Sequence, residues 1–368
     1  MKAAFLYHQK LKDYDFGEGH SFRGDRFEIF LNFFEKRFAP FKAKFEKFEG
    51  QPATDEALQL VHTKEYIKAL KDASQGQLSS KIWEYVSKDN LNPLEGRIPL
   101  GIEVAARIIV GTSLLAAELV AEGKFFKAIG IGGGLHHAKP SFGEGFCFYN
   151  DIAVCVENLK KSYNLQRILV LDTDAHAGNG TKEIFYEDVG VLFIDIHQDP
   201  RTIYPGTGFI QEIGSQQGEG FTVNLPLLPE AGYDAYQYLF EEVILPLARE
   251  FKPEVVIRYG GSDPHYLDIL TNLGLTIDGF KMIGRFVREI SQKVCNGKNI
   301  DFLTSGYNLK VLSFAWSALI SGLLDLEIDL SGVEEKDPPP RDYRLEQTKD
   351  MTRQLKKLLK RYWRCMQD

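Results

Sequence analysis

The chain of 368 residues carries a formal net charge of −7 at pH 7, and 44% of its residues are hydrophobic and 26% charged. This composition is ordinary for a soluble globular protein, and the length allows one large domain with a deep core or two small ones. The negative charge gives no general reason to expect nucleic-acid binding and would oppose docking on an anionic membrane.

The predicted elements alternate between strands and helices along the chain. Short apolar runs predict strands at residues 3–7, 128–131, 167–171, 191–196, 254–258 and 301–303. Helices are predicted at residues 102–122, 151–160, 233–250, 278–294 and 309–324. Because the strand runs are continuously apolar, they are typical of strands covered on both faces. The alternation therefore predicts one α/β domain with a mainly parallel sheet.

Two segments depart from this alternation. Residues 22–50 are rich in phenylalanine and in charges, which predicts one or two amphipathic helices packed on the sheet. After three prolines at 338–340, a basic helix carries an apolar stripe made of Met351, Leu355, Leu358, Leu359 and Tyr362. Docking of this stripe on the protein's own surface is favoured over a partner or oligomer contact, which stays open. We expect a catalytic domain at residues 1–325 and a proline-containing linker with an amphipathic helix at 326–368.

The cysteines and the lengths of the hydrophobic runs indicate the cellular compartment of the protein. The cysteines, Cys147, Cys155, Cys295 and Cys365, form no CxxC pair. The N-terminal apolar run is too short for the core of a signal peptide, and the longest uncharged apolar stretch, residues 311–324, falls short of the ~20 residues that span a bilayer. These features predict a cytoplasmic protein with reduced thiols and no membrane segment.

Chemically capable side chains follow the ends of five predicted strands. They are, in chain order, His136 and His137, then Asp172, Asp174 and His176, then His197, Asp263 and Tyr307. In open α/β sheets, ligands bind outside the carboxyl ends of the strands. These residues therefore predict one functional site at that edge of the sheet.

Asp174 and His176 have the spacing of two metal ligands. Where a chain leaves a strand still extended, residues i and i+2 point the same way. A catalytic zinc needs a third protein ligand and keeps a position open for water or substrate, and Asp263, after two glycines, is the best candidate. Histidine and carboxylates also suit Fe²⁺ or Mn²⁺, so residue type does not fix the metal. A helix cap beside a surface histidine is the alternative for the first two residues alone.

His136 and His137 lie on a glycine-rich turn. They are either polar loop residues or a pair in which one imidazole deprotonates a metal-polarised water and the other stabilises charge or protonates the leaving amine. Asp172 and Asn179 are the candidate partners that would set tautomer and basicity. A carboxylate partner favours imidazolium and a neutral amide does not, so the two histidines could differ in protonation near pH 7. Tyr307 is either structural or a phenol that donates to an oxyanion.

Longer motifs around these residues resemble those of the histone deacetylase superfamily. They read, in chain order, Gly133-Gly134-Leu135-His136-His137-Ala138, Gly145-Phe146-Cys147-Phe148-Tyr149-Asn150-Asp151, Asp172-Thr173-Asp174-Ala175-His176-Ala177-Gly178-Asn179-Gly180-Thr181, Tyr204-Pro205-Gly206-Thr207-Gly208 and Gly306-Tyr307-Asn308-Leu309. The resemblance covers roughly residues 1–325, and the motifs are jointly specific. It is nearest to prokaryotic members, including the acetoin-utilisation type.

The resemblance implies an arginase-like three-layer α/β fold and hydrolysis of acetyl-lysine or a similar N-acyl amine. It implies zinc (Zn²⁺) as the metal, held by Asp174, His176 and Asp263, with Fe²⁺ as an alternative. It assigns the role of general base to His137 and that of electrostatic catalyst or acid to His136. Asn179 would be the partner of His137, and Asp172 that of His136. Tyr307 would bind the carbonyl oxygen. A narrow substrate tunnel would involve Gly145, Phe146, Tyr204 and Leu270, and a potassium ion (K⁺) would bind near Asp172 and Asp195.

The chain departs from the family pattern at three positions. Ala177 stands where many members have a second histidine, Asn179 where aspartate is frequent, and Ser305 where glycine is usual. None of these changes removes a predicted ligand or catalytic group. Asp89 and Glu95 are the candidates for the acidic contact that holds the substrate backbone in many deacetylases.

Three alternatives remain beside a lysine deacetylase: an acetylpolyamine amidohydrolase, an arginase-like ureohydrolase and a non-catalytic binder of acyl-lysine. Ureohydrolases bridge two metals, and the segment at Asp263 lacks a second metal-binding aspartate beside it, which favours one metal. A binder is expected to have a degenerate site, and none of the key positions is degenerate. The expected partner is thus an N-acylated lysine or small acylated amine.

Overall fold

A central sheet of eight parallel strands organises the described part of the chain. The computed structural model describes residues 2–77, 80–333 and 335–367. The strands are β1 (Ala3–Leu6), β2 (Phe45–Phe48), β3 (Lys127–Ile131), β4 (Ile168–Asp172), β5 (Val191–Gln198), β6 (Thr222–Leu227), β7 (Val255–Gly260) and β8 (Asn299–Leu303). Their order is β2-β1-β3-β8-β7-β4-β5-β6. Because they are all parallel, their carboxyl ends meet at one edge.

Helices cover both faces of this sheet. They are α1 (Arg26–Arg37), α2 (Asp55–Leu58), α3 (Lys64–Ser74), α4 (Ile102–Ala121), α5 (Asp151–Tyr163), α6 (Asn179–Phe185), α7 (Tyr233–Leu239), α8 (Leu245–Phe251), α9 (Ile277–Cys295), α10 (Leu309–Leu324) and α11 (Leu345–Leu359). The C-terminal half of α4, with α5 and α6, packs on one face. Helices α1 and α7 to α10 form the core on the other face. The predicted three-layer fold is confirmed.

Alternate strand residues enter two separate cores. In β1, Ala3 and Phe5 belong to one core, whereas Ala4 and Leu6 belong to the other. Every residue of β4, β5 and β7 is buried. Burial on both faces explains why the first four residues of β4 and of β5 and the first three of β7 are all apolar rather than alternating with polar residues.

Helix α4 is long and apolar enough to cross a membrane by length and composition. However, 67% of its most apolar 18-residue window is buried inside the protein. It contacts β3 and α5. Such burial is typical of a core helix.

The segment at 22–50 is partly different from its prediction. The expected amphipathic helix is α1, whose Phe27, Phe30 and Phe34 are buried. The helical interpretation is wrong for residues 45–48, which form β2 and pair with β1. Pairing with the open edge of β1 outweighs the helix propensity of Glu46 and Lys47 here, because it satisfies backbone groups of both segments.

The C-terminal segment packs on the rest of the described chain. Leu355 and Leu359 of α11 are fully buried, and the Trp363 indole donates to the Gly220 carbonyl at 2.7 Å. Glu335 accepts a hydrogen bond from the backbone N–H of Ile277 at 2.9 Å. A boundary between a catalytic domain and a tail at residue 325 stays a prediction.

Candidate active site

The predicted site residues meet at the carboxyl edge of the sheet. Strand β4 ends at Asp172, and the chain then turns through Asp174 and His176. Asp263 follows the neighbouring strand β7, and Tyr307 follows β8. Adjacent strands thus bring together residues that are distant in sequence.

Residues at the start of α5 hold the turn that carries His136 and His137. The buried carboxylate of Asp151, at the start of α5, accepts hydrogen bonds from the backbone N–H groups of Leu135 at 2.8 Å and Gly134 at 3.0 Å. The side-chain amide of Asn150 donates to the carbonyl of Ala138 at 3.0 Å. The segment that ends the Gly145–Asp151 motif therefore holds the histidine turn in place.

The candidate metal ligands form a buried cluster. One ligand atom from each of Asp174, His176 and Asp263 lies within 4.8 Å of the others. His176 Nδ1 is 3.1 Å from Asp174 Oδ1 and 3.2 Å from Asp263 Oδ2. Ser305 donates its hydroxyl to the other Asp263 oxygen at 2.6 Å. A support of this kind orients a ligating carboxylate.

Charge at this cluster favours a cation. Burial and repulsion by Asp174 raise the pKa of Asp263 to about 8. Burial acts the other way on His176, but its hydrogen bonds to the two carboxylates raise its pKa to about 10. The buried carboxylates of Asp174 and Asp263 therefore retain a proton in their cluster unless another positive charge is bound there. Two carboxylate oxygens and an imidazole nitrogen are a suitable donor set for a divalent metal.

His136 and His137 have different partners. His136 Nδ1 is 2.7 Å from Asp172 Oδ2, and His137 Nδ1 is 2.7 Å from Asn179 Oδ1. The two Nε2 atoms are 3.1 Å apart. Since an amide oxygen only accepts, His137 carries its proton on Nδ1, and its Nε2 lone pair accepts from His136.

The two histidines also differ in basicity. Burial lowers the pKa of His136, but attraction by Asp172 and Asp174 outweighs it and raises that pKa to about 9. Burial, reinforced by the charges of His136 and His176, holds the pKa of His137 well below its usual range. The pair thus combines an imidazolium with a neutral imidazole near pH 7.

Two glycines allow this close packing. Gly145 has φ +58°, and a Cβ there would lie 2.2 Å from the His137 ring. A Cβ on Gly178 would lie 2.5 Å from Asp172 Oδ2. A side chain at position 145 would displace His137, and one at position 178 would displace Asp172, the partner of His136.

Tyr307 lies near the candidate metal ligand His176 and near Phe146. Its ring is 6.4 Å from the His176 ring and 5.9 Å from the Phe146 ring. Its backbone N–H donates to Asp268 Oδ2 at 2.7 Å. Burial and the negative charges of Asp174 and Asp263 raise the phenol pKa well above its usual value, so the hydroxyl stays protonated.

The structure places some of the predicted tunnel residues at the site. Phe146 contacts Tyr307 as described, and the Tyr204 ring, 43% exposed, packs edge-on against His137 at 5.1 Å. Leu270 lies on the loop after β7, where its N–H donates to Asp268 at 3.0 Å. A tunnel role for Leu270 stays a prediction.

The two candidates for an acidic substrate contact are placed differently. Asp89 Oδ2 accepts the backbone N–H of Gly145 at 2.6 Å, which puts it beside the site. Glu95 pairs with Arg97 at 2.7 Å on the surface. Asp89 is therefore the better placed of the two.

Both carboxylates near the predicted potassium position accept hydrogen bonds from backbone N–H groups. Asp172 Oδ1 accepts from the Asp174 N–H at 2.9 Å, and Asp195 Oδ2 accepts from the Gly178 N–H at 2.9 Å. Asp195 Oδ1 is 2.7 Å from His197 Nδ1. The potassium site stays a prediction.

Sequence reasoning missed two residues that contact the site. The buried Arg26 guanidinium lies 5.3 Å from the centre of the Tyr307 ring and donates to the Thr304 carbonyl at 3.2 Å. Glu144 accepts a hydrogen bond from the Asn179 amide at 2.7 Å. Arg26 lies in the phenylalanine-rich segment with no local motif. Glu144 adjoins the Gly145–Asp151 motif, which was a usable signal.

Comparison with known proteins gives consistent matches. A family model described as "Histone deacetylase domain" matches residues 20–323. The acetoin utilization protein AcuC of Staphylococcus aureus is 36% identical over 332 residues, which cover 89% of this chain and 83% of that protein. A probable deacetylase of Archaeoglobus fulgidus is 35% identical over 314 residues, 83% of each chain. The HDA15 HD domain matches in structure with a TM-score of 0.83 at 26% identity, covering 99% of this chain and 97% of that one.

Proposed function

The chain belongs to the histone deacetylase family, and from this premise we propose that it hydrolyses the amide of an N-acylated lysine side chain, or of a similar acylated amine, with one bound divalent metal ion. The observation that carries the proposal is the position of three buried candidate ligands, Asp174, His176 and Asp263, beside a charged and a neutral histidine.

Asp174, His176 and Asp263 would hold the metal ion, for which zinc is the first candidate and Fe²⁺ the alternative. When bound, such an ion supplies a Lewis acid for the substrate carbonyl and the attacking water. Ser305 would keep Asp263 oriented through its 2.6 Å hydrogen bond. The neighbouring Ala177 is small and leaves space at the cluster.

His137 is the proposed general base. Its Nδ1 proton is directed to Asn179, so Nε2 carries the lone pair; once water replaces His136 as its hydrogen-bond donor, this lone pair can take a proton from the water as the water oxygen attacks the carbonyl carbon. When the C–N bond breaks, the same proton can pass to the leaving amine nitrogen. The products are a free amine and a carboxylic acid, and all atoms of the water molecule are accounted for.

His136 and Tyr307 are the proposed electrostatic partners. Held as an imidazolium by Asp172, His136 places a positive charge 3.1 Å from the base and stabilises negative charge that develops nearby. The protonated phenol of Tyr307 can donate to the carbonyl oxygen as it becomes an oxyanion. Arg26 adds a buried positive charge 5.3 Å from the centre of that ring.

Substitution of Tyr307 by phenylalanine is expected to lower kcat by roughly 10²–10³-fold, because one oxyanion donor is lost while the ring is kept. The bound metal should be unchanged, since Tyr307 is not among the candidate ligands. Steady-state kinetics with metal analysis check this, with Tyr343→Phe on the surface as the matched control. Retention of wild-type kcat would remove Tyr307 from the mechanism.

Substrate class is tested by comparing kcat/KM for acetyl-lysine peptides, acetylpolyamines, longer acyl-lysines and, as ureohydrolase substrates, arginine and agmatine. Hydrolysis of at least one acylated amine and of neither ureohydrolase substrate is expected. A preference for the acetylpolyamine would assign the runner-up activity. Absence of turnover with every acylated amine, by protein that retains its metal, would contradict the proposal and favour a non-catalytic binder.

We also propose a cytoplasmic location. All four cysteines are unpaired, and Cys147, Cys155 and Cys295 are buried. Reduced thiols are usual in the cytoplasm.

A further inference from the structure

The side-chain amide of Asn179 is held from both ends. Its oxygen lies 2.7 Å from His137 Nδ1, and its NH₂ group donates to Glu144 Oε1 at 2.7 Å. An ionised carboxylate only accepts hydrogen bonds. Glu144 therefore requires the NH₂ group on its own side, and the amide oxygen must point to His137.

We propose that Glu144 is a positioning residue that acts through Asn179: it fixes the orientation of the amide and thereby keeps the His137 proton on Nδ1 and the lone pair on Nε2. This inference rests on the proposed function, because it concerns the residue proposed as base. Glu144 itself does not touch the reacting atoms.

Asn179 needs a residue that fixes its orientation because the two ends of its side-chain amide have nearly the same shape. Rotation of an asparagine amide by 180° exchanges an acceptor for a donor of nearly the same shape. If Asn179 rotated, its NH₂ group would face His137 Nδ1, which would then accept, and the imidazole proton would move to Nε2. That tautomer has no lone pair for the attacking water. A carboxylate at position 179 would accept in both orientations and would need no such support.

The surroundings allow Glu144 to perform this role. Its side chain is 16% exposed, and Asn179 is 7% exposed, so the hydrogen bond between them is shielded from water. The ammonium of Lys139 lies 3.2 Å from the same Glu144 oxygen and balances its charge. The carbonyl of Glu144 accepts from the Cys147 N–H at 2.9 Å, which fixes the turn that carries the carboxylate.

Tyr204 connects this group to the proposed tunnel. Burial and then the charge of Glu144 raise the pKa of the Tyr204 phenol. The Tyr204 ring in turn packs on His137. Glu144 thus lies next to the residues that are proposed to line the substrate tunnel.

Kinetics of four proteins test the inference: wild type, Glu144→Leu, Glu144→Gln and the double variant Glu144→Leu with Asn179→Asp. Glu144→Leu should lower kcat roughly 10–100-fold, as expected when a supporting partner is lost. Glu144→Gln, whose amide oxygen can still accept, should be at least about tenfold more active than Glu144→Leu. The double variant, assayed at a pH that keeps His137 neutral beside the new carboxylate, should recover about tenfold over Glu144→Leu, because aspartate cannot present a donor to His137. Wild-type kcat in Glu144→Leu, or no recovery in the double variant, would overturn the inference.

A readout that needs no turnover separates this inference from the proposed function. The ¹⁵N shifts of labelled imidazoles distinguish the two neutral tautomers, and the chain has only 8 histidines. His137, assigned by the signal lost in His137→Gln, should carry its proton on Nδ1 in the wild type and shift towards the Nε2–H form in Glu144→Leu. An unchanged tautomer in Glu144→Leu would refute the role of Glu144 even if the protein hydrolyses amides. The expected shift would support it even if no substrate is hydrolysed.

Discussion

Substitution of His137 by alanine is expected to lower kcat by roughly 10²–10⁴-fold, the usual contribution of a positioned general base. His137 is the neutral member of the pair, with its Nδ1 proton directed to Asn179 and its Nε2 directed to the site. No other described histidine combines a neutral imidazole with contacts to both His136 and Asn179. The metal should remain bound, since His137 is not among the candidate ligands.

The control for this variant is His8→Ala, because the His8 ring accepts the backbone N–H of Lys10 at 3.0 Å and is not one of the candidate site residues. It should keep wild-type kcat. Metal content, measured by mass spectrometry on the same samples, separates loss of the base from loss of the metal. If His137→Ala retained kcat within about threefold of wild type, the base would have to be another group, because a positioned base contributes at least about a hundredfold.

Loss of the metal is expected to have a still larger effect. Chelation should abolish turnover, because the remaining groups would lack the Lewis acid that the proposal assigns to the ion. It should also lower Tm, because a ligand bound only by the folded state stabilises that state. Asp263→Asn should reproduce both effects, since asparagine keeps the shape of the side chain and removes one of the two negative charges. Asp13→Asn, at an exposed position, is the matched control.

The central strands were predictable because their environment is uniform. β4, β5 and β7 are buried on both faces, and each begins with an uninterrupted apolar run before polar residues appear towards its carboxyl end. The two strands that were missed, β2 and β6, are the edges of the sheet. β2 contains Glu46 and Lys47 at exposed positions, and β6 contains Pro226, which an edge strand tolerates and a central strand does not.

The candidate site was predictable where its members follow strand ends at short spacing. Asp174 and His176, separated by one residue, come together with Asp263 as the sequence indicated. The pairing of His136 with Asp172 and of His137 with Asn179 also agrees with the expected partners. Their catalytic roles are proposals that the variants above test.

Other contacts had no local signal. Arg26 reaches Thr304 across 278 residues of sequence, and only the packing of α1 on the sheet brings them together. The contact between Glu144 and Asn179 depends on the turn at Gly145, whose positive φ directs the chain back over His137. Contacts of this kind depend on tertiary geometry, and residue spacing alone does not predict them.

Titration of metal-free protein with zinc tests the central claim most directly. Bound metal per chain and the rate of hydrolysis of the best acylated amine would be followed together. Activity should rise in proportion to bound metal and reach its maximum at one equivalent, and Asp263→Asn should recover neither. Full turnover without metal, or a requirement for two equivalents, would contradict a single-metal site at Asp174, His176 and Asp263.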